Sequence, residues 1–245
     1  MERRNFIKNA GMVLVSTGTL ASIFKPVGAA ERVLQGGSTW HASPTPLPTP
    51  ADTTKRLFFT EFESNQVKAI FDRLIPADEL TVSASEAGCV VFIDNQLAGS
   101  YGDAAWKYKG GPFEKGAPSQ GSQSPLTPAQ IYRKGIAEID THCKTIKGKS
   151  FAELSDDDKD HYLEQMEANK FAYPSFSSSS VLFGQFLSNV QEGFLSDPIY
   201  GGNRNMVGWK MIGFPGARYD YRDYANKKGQ KITLQPISII EHFKA

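Results

Sequence analysis

The chain has 245 residues, of which 40% are hydrophobic and 22% are charged, and its formal net charge is +1. This length suffices for one domain with a sizeable core, whereas the near-zero charge argues against a nucleic-acid partner, because binding to phosphates requires a basic surface. The chain contains two cysteines and neither a CxxC nor a CxxCH motif, so we expect it to hold no iron–sulfur cluster and no covalent haem by itself.

The first 30 residues match a twin-arginine export signal, whose arginine pair precedes an apolar stretch and a cleavage site with small side chains. The motif consists of Arg3, Arg4, Phe6, Ile7 and Lys8. The apolar stretch, residues 12–24, is shorter than the roughly 20 residues that cross a bilayer. We therefore predict a signal peptide over 1–30 and export to the periplasm in the folded state. An amphipathic first helix of a cytosolic domain is the alternative.

Residues 31–56 form a proline-rich linker, since Pro44, Pro46, Pro48 and Pro50 alternate with small residues. This pattern favours an extended polyproline-type conformation over a packed element. Two interpretations remain open for the linker, an unstructured tether and a strap that lies along a partner.

Five helices are predicted within a single domain over 57–245, each from apolar residues at helical spacing behind a residue type that caps helices. They start near Thr60, Ser85, Thr127 and Ser155 and within Ser177–Ser180, and the first two end near Ile75 and Leu97. The second start depends on a possible capping box between Ser83 and Glu86.

No alternation of apolar and polar residues lasts long enough for a large sheet, although 231–240 is compatible with one short strand. The predicted fold class is therefore mainly α, a single helical domain of about five helices with long irregular loops. The longest loop contains aromatic residues that indicate docking against another surface, namely Tyr101, Trp106, Tyr108 and Phe113.

Motifs for catalysis or cofactor binding are missing from the predicted domain. Residues 156–158, three aspartates, suit the positive end of a helix dipole better than a calcium loop, whose sixth position requires glycine. The glycines after residue 195 match neither nucleotide-binding pattern. His142 and Cys143 are adjacent and point to different sides of a helix, which argues against a nucleophile–base pair. We predict no catalytic, cofactor-binding or metal-ligating residue in this chain.

Three segments resemble the small (gamma) subunit family of gluconate 2-dehydrogenase and related flavin-dependent sugar dehydrogenases. They are Phe58–Asp78, Ala84–Gly99 and, most specifically, Ser196–Ala217, which reads SDPIYGGNRNMVGWKMIGFPGA. The twin-arginine leader adds to the resemblance, which covers the predicted domain from end to end.

The resemblance implies a periplasmic complex that is associated with the inner membrane. A large subunit containing FAD oxidises a sugar or sugar acid, and a multi-haem cytochrome c subunit passes the electrons to membrane quinone. The small subunit then carries no redox centre. It supports the folding, export through the twin-arginine translocase and assembly of the flavoprotein, and it meets the membrane only through a partner.

The segment rich in glycine and aromatic residues is expected to contribute to the docking surface for the flavoprotein. Glycine permits close approach of the backbone, and large aromatic side chains are frequent anchors of interfaces. The docking candidates are Tyr200, Gly201, Gly202, Arg204, Trp209, Met211, Phe214 and, in the long loop, Trp106. A loop that closes the core of this chain itself is the alternative for the segment.

Two further questions stay open at the level of sequence. Cys89 and Cys143 either form a disulfide in the oxidising periplasm, remain two buried thiols, or leave one cysteine to bridge another chain. The rival function is a self-sufficient periplasmic enzyme or solute-binding protein that uses the Trp106 loop as a lid. The missing constellation of titratable groups argues against it.

Overall fold

The computed structural model describes residues 48–107, 110–111, 113–114, 116–117, 124–218 and 221–240. The predicted export signal, most of the linker and Tyr108 lie outside these ranges. Within them the fold is mainly helical, as predicted, with six α-helices and no strand. The helices are α1 (Glu61–Leu74), α2 (Cys89–Leu97), α3 (Pro128–Lys147), α4 (Asp156–Glu167), α5 (Ser179–Leu195) and α6 (Val207–Ile212).

Four of the predicted helix starts are confirmed by their capping hydrogen bonds. In each case a side-chain hydroxyl accepts from a backbone N–H in the first turn, which otherwise has no partner inside the helix. The acceptors are Thr60 for α1 (3.2 Å), Thr127 for α3 (3.3 Å), Ser155 for α4 (3.2 Å) and Ser178 for α5 (3.3 Å).

The predicted start of the second helix is wrong, because α2 begins at Cys89 rather than near Ser85. The box that suggested the earlier start does form, with the Ser83 N–H donating to the Glu86 carboxylate (3.0 Å), but it closes a turn that is not helical. Gly88 follows with a φ of +90°, a left-handed conformation that ends the turn and places α2 after it.

Residues 231–240 do not form the short strand with which their sequence is compatible. An isolated parallel bridge joins Gly216 to Ile237, where the Ala217 N–H donates to the Ile237 carbonyl (2.7 Å). Pro236 directly precedes the bridge and has no N–H to donate, so a ladder of hydrogen bonds does not extend in that direction.

Helix α5 lies at the centre of the core and packs against α1, α2, α4 and α6. Tyr132 of α3 and Phe186 of α5 are both fully buried, and their ring centroids lie 5.2 Å apart in an edge-on arrangement. Such a pair adds to the stabilisation that comes from burying the two rings. In the described part of the chain, no helix has the length and apolar character needed to cross a membrane.

A buried carboxylate ties the chain that precedes α1 to α2. Asp94 exposes only 3% of its surface, and it accepts hydrogen bonds from the N–H groups of Leu57, Phe58 and Phe59 at 2.6, 3.1 and 2.7 Å. Hydrogen bonds to a charged acceptor are stronger than those between neutral groups. Asp94 thereby fixes how the chain enters the domain.

The end of the proline-rich linker packs on this chain's own domain. The Asn95 side chain both accepts from the Asp52 N–H (3.1 Å) and donates to the Asp52 carbonyl (2.9 Å). The Ala51 N–H donates to the Ile199 carbonyl (2.8 Å). The last residues of the linker are therefore a strap along the domain itself, and the prediction for the earlier residues falls outside the described ranges.

Replacing Asp94 with asparagine is expected to destabilise the protein by about 2–4 kcal/mol, because one amide oxygen cannot satisfy three buried N–H groups. The matched control is Glu167→Gln, which makes the same chemical change at an exposed position of α4. Urea unfolding of both variants measures the difference. Equal midpoints for the two variants would show that Asp94 does not anchor the chain.

Candidate docking surface

The segment 196–216 folds as two tight turns and a short helix. The Asp197 carboxylate accepts from the Ile199 N–H (2.9 Å) and so caps the first turn, Pro198–Tyr200. The second turn, Arg204–Met206, leads into α6.

The buried Asp197 also holds the C-terminal part of the chain. Its carboxylate accepts from the Ser238 hydroxyl (2.7 Å) and from the Ile239 N–H (3.0 Å). Because a buried carboxylate requires such partners, these hydrogen bonds attach residues near 238 to the start of the segment. The start of the segment is therefore fixed to residues near 238 of its own chain.

Close backbone packing explains two of the glycines in the segment. A Cβ atom at Gly202 would clash with the carbonyl oxygen of Gly193 in α5, and one at Gly208 would clash with the carbonyl oxygen of Phe194. Backbone atoms cannot move aside as a flexible side chain can, so these positions exclude every larger residue. Gly202 therefore packs against the chain's own helix and presents no surface to a partner.

Gly201 has the same role against α2. It is buried with a φ of +92°, and a Cβ there would lie 3.2 Å from both the Ala51 and Val91 side chains. Its carbonyl oxygen occupies the space that a Cβ at Gly88 would need. Gly201 and Gly202 were docking candidates, but their contacts are with this chain's own helices. They fit the alternative interpretation, in which the loop closes the chain's own core.

Trp209 also lies inside the molecule. It exposes 5% of its surface, its indole Nε1–H donates to the Leu195 carbonyl (2.7 Å), and its ring packs edge-on against Phe214 at 5.1 Å. A buried indole whose donor is satisfied stabilises its own domain. Trp209 is thus placed to support the surface and does not itself form part of it.

The larger side chains on the outer side of the segment form an exposed apolar face. Met211, Ile212 and Phe214 expose 44%, 56% and 43% of their surfaces, and Tyr200 exposes 37%. Beside α6 lies an open groove of about 460 Å³ whose opposite wall is the loop 78–82. That loop contributes two more apolar residues, Leu80 at 78% exposure and Val82 at 36%.

We call the residues Tyr200, Leu80, Val82, Met211, Ile212 and Phe214 the apolar face. Leu80, Val82 and Met211 line the groove, and Ile212 and Phe214 follow Met211 closely in the chain. Exposed apolar side chains beside a groove are typical of an interaction site. Ile212, Leu80 and Val82 were not among the residues predicted from the sequence. The available signal was weak, since a single leucine or valine in a polar loop is ordinary.

Trp106 belongs to a different surface. It exposes 68% of its side chain on a loop that follows the C-terminal end of α2, whereas Gly201 and Arg204 contact the turn before the N-terminal end of that helix. A helix of nine residues separates the two ends by about 13 Å. The base of the loop is firmly held, because Tyr101 bonds Asn189 and Gln185 of α5.

The two cysteines are free, buried thiols in the structure and are not joined. Burial raises the pKa of the Cys89 thiol to about 12 and that of the Cys143 thiol to about 11. Near neutral pH both are therefore protonated and poor nucleophiles. His142 makes its hydrogen bond to the Tyr162 hydroxyl (2.9 Å).

The described residues contain no group of three or more histidine, cysteine, aspartate or glutamate side chains that is placed to hold a metal ion. A family model described as gluconate 2-dehydrogenase subunit 3 matches residues 61–216. The match runs from the first residue of α1 to the end of the segment, and it includes the whole apolar face. No curated protein and no solved structure matches the chain significantly.

Replacing Gly202 with alanine is expected to destabilise the protein by roughly 3 kcal/mol, because the added methyl group overlaps a backbone oxygen. The control is Gly184→Ala, at an exposed position of α5 with open space around the new Cβ. There alanine is expected to stabilise the helix by about 1 kcal/mol. Thermal or urea unfolding compares the two variants, and a shift of the same sign in both would contradict the packing described.

Proposed function

The chain belongs to the gluconate 2-dehydrogenase subunit 3 family, and from this premise we propose that it is the non-catalytic small subunit of a flavin-dependent gluconate 2-dehydrogenase-type complex. The large subunit contains FAD and oxidises a sugar or sugar acid, and a multi-haem cytochrome c subunit accepts the electrons. The small subunit supports the folding, export and assembly of the flavoprotein. The family's designation as a subunit implies a complex of several chains.

The observation that carries the proposal is the apolar face within the matched region. Its six apolar side chains are exposed, and three of them, Leu80, Val82 and Met211, line one groove. The same segment buries Trp209, whose indole N–H is hydrogen-bonded inside the domain. A domain that acts alone gains nothing from such exposure, whereas a subunit covers it on assembly. We assign the apolar face to contact with the flavoprotein subunit.

The sequence of the first 30 residues supports the proposed route of export. Arg3 and Arg4 head a twin-arginine motif, and that route carries proteins that are already folded. A flavoprotein without a signal of its own is then exported as a folded complex with this chain. The proposed location is the periplasm, with the complex held at the inner membrane through the cytochrome subunit.

The proposal is tested by placing a purification tag on the C-terminus, expressing the full chain in its own host, and recording the visible spectrum of the isolated material. A flavin absorption band together with a large co-purifying subunit is expected. A colourless, stable monomer would contradict the proposal and favour the rival periplasmic enzyme or solute-binding protein.

A matched pair of variants tests the assignment of the apolar face. Ile212→Asp places a charge in the face, and Ile146→Asp places the same charge at a comparably exposed isoleucine (48%) near the end of α3. We expect Ile212→Asp to lose most of the bound flavin because burying an unpaired carboxylate is costly. Ile146→Asp should keep it, and equal retention by both variants would place the contact elsewhere.

Lysine substitution of the arginine pair tests the export route. Replacing Arg3 and Arg4 with lysine keeps the charge of the signal but removes the twin-arginine motif. We expect both this chain and the flavin to accumulate in the cytoplasm, as measured by fractionation of the cells. Normal export of the double variant would contradict the twin-arginine route.

A further inference from the structure

The exposed charge of the segment 196–216 is entirely positive. Its charged residues are Asp197, Arg204 and Lys210, and Asp197 is buried, with its carboxylate bonded inside the domain. Arg204 and Lys210 are exposed, and neither forms an ion pair with another described residue. Glu79, on the far wall of the groove that Lys210 lines, forms no ion pair with a described residue either. Lys210 lines the groove, and the turn of Arg204 packs against the turn that ends at Tyr200. Both cations therefore lie near residues of the apolar face without a bound carboxylate among the described residues.

Arg204 is held in place more firmly than an ordinary surface arginine. Its backbone N–H donates to the Ala87 carbonyl (2.9 Å). Its side chain lies across Gly88, where a Cβ would come within 2.9 Å of Arg204 Nε and 3.2 Å of Arg204 Cγ. The absence of a side chain at position 88 thus leaves room for the aliphatic part of the arginine side chain. This part is already packed against Gly88 in the unbound chain.

The turn that carries Arg204 is strained. Asn203, Asn205 and Met206 have φ angles of +44°, +55° and +56°, in the left-handed region, which asparagine tolerates and methionine rarely occupies. Asn203 holds the turn by donating to the Ser196 carbonyl (2.8 Å) and accepting from the Gly208 N–H (2.8 Å). Strain of this kind persists where the surrounding structure enforces it, and it is concentrated at functional sites.

A packed arginine at the edge of an apolar surface suits a particular kind of contact. The guanidinium group donates two parallel hydrogen bonds to a carboxylate, a geometry that lysine cannot reproduce. Interfaces combine an apolar centre with a polar rim, and arginine is enriched in them. Because Arg204 is already ordered, less conformational entropy is lost when its partner binds.

We propose that Arg204 binds a carboxylate of the flavoprotein subunit, and that this ion pair sets the position of the partner's apolar side chains on the apolar face. The inference rests on the proposed function and adds the chemistry of the partner: an acidic side chain next to an apolar segment. The strained turn of residues 203–206 is the element that presents the arginine.

The test uses the tagged full chain expressed in its own host with three variants, Arg204→Glu, Arg204→Gln and Arg204→Lys. Glutamine and glutamate keep the carbon stem over Gly88, so the fold is expected to be preserved. We expect at least about a tenfold loss of affinity for Arg204→Glu and an intermediate loss for Arg204→Lys. The readout is the amount of flavin per tagged chain after washing at low and at high salt.

Two controls separate a specific ion pair from other effects. Lys170→Glu reverses the charge of an exposed lysine that follows α4, and it should keep the flavin of the unsubstituted chain. Unchanged melting temperatures for all variants exclude misfolding as the cause. The unsubstituted chain should lose flavin as salt rises, and Arg204→Gln should show a weaker salt dependence, since salt screens charged contacts.

Each outcome distinguishes the inference from the function on which it rests. If the unsubstituted chain holds no flavin, both fail. If it holds flavin and Arg204→Glu holds as much at both salt concentrations, the inference is overturned while the proposed function stands. A change in the chain's own oligomeric state, with flavin retained, would assign Arg204 to a contact between two copies and would also overturn it.

Discussion

Contact between backbones is the constraint on which the apolar face depends. The segment 196–216 lies so close to α2 and α5 that a Cβ at Gly88, Gly202 or Gly208 would overlap a carbonyl oxygen. Because no side chain fits between these backbones, the large side chains of the segment lie either in the interior of the domain or on its outer side. Ile199 and Trp209 are buried in the interior, whereas Tyr200, Met211, Ile212 and Phe214 are exposed on the outer side. The composition of the segment, rich in both glycine and aromatic residues, follows from this arrangement.

Buried polar groups then fix the positions of the chain that surrounds this contact. Asp94 binds three N–H groups before α1, and Asp197 binds residues near 238. Each of these carboxylates is costly to bury and is stabilised only when all of its partners are in place. The structure around the apolar face is therefore ordered before a partner binds, and an ordered surface loses less entropy on association.

The division between an inner and an outer side suits the proposed role of a small subunit. The inner side of the segment stabilises this chain, and the outer side exposes apolar and basic groups that remain without partners among the described residues. The two buried thiols, with raised pKa values, and the hydrogen-bonded His142 take no part in that surface. Trp106 lies at the other end of α2 and offers a second exposed aromatic group, separate from the apolar face.

The sequence by itself determined the family, the helical class and most helix starts. Thr60, Thr127 and Ser155 could be identified as caps because each bonds an N–H group only three residues away. For the last predicted helix the sequence limited the start to Ser177–Ser180, and the cap is Ser178. The tertiary structure decided which side chains are exposed. Trp209 and Met211 are equally plausible anchors in the sequence, yet one is buried and the other is not. The tertiary structure also decided where α2 begins, because the preceding Gly88 packs against Gly201 and Arg204. The physical reason is that a cap is a local hydrogen bond, whereas exposure depends on which distant backbone occupies the adjacent space.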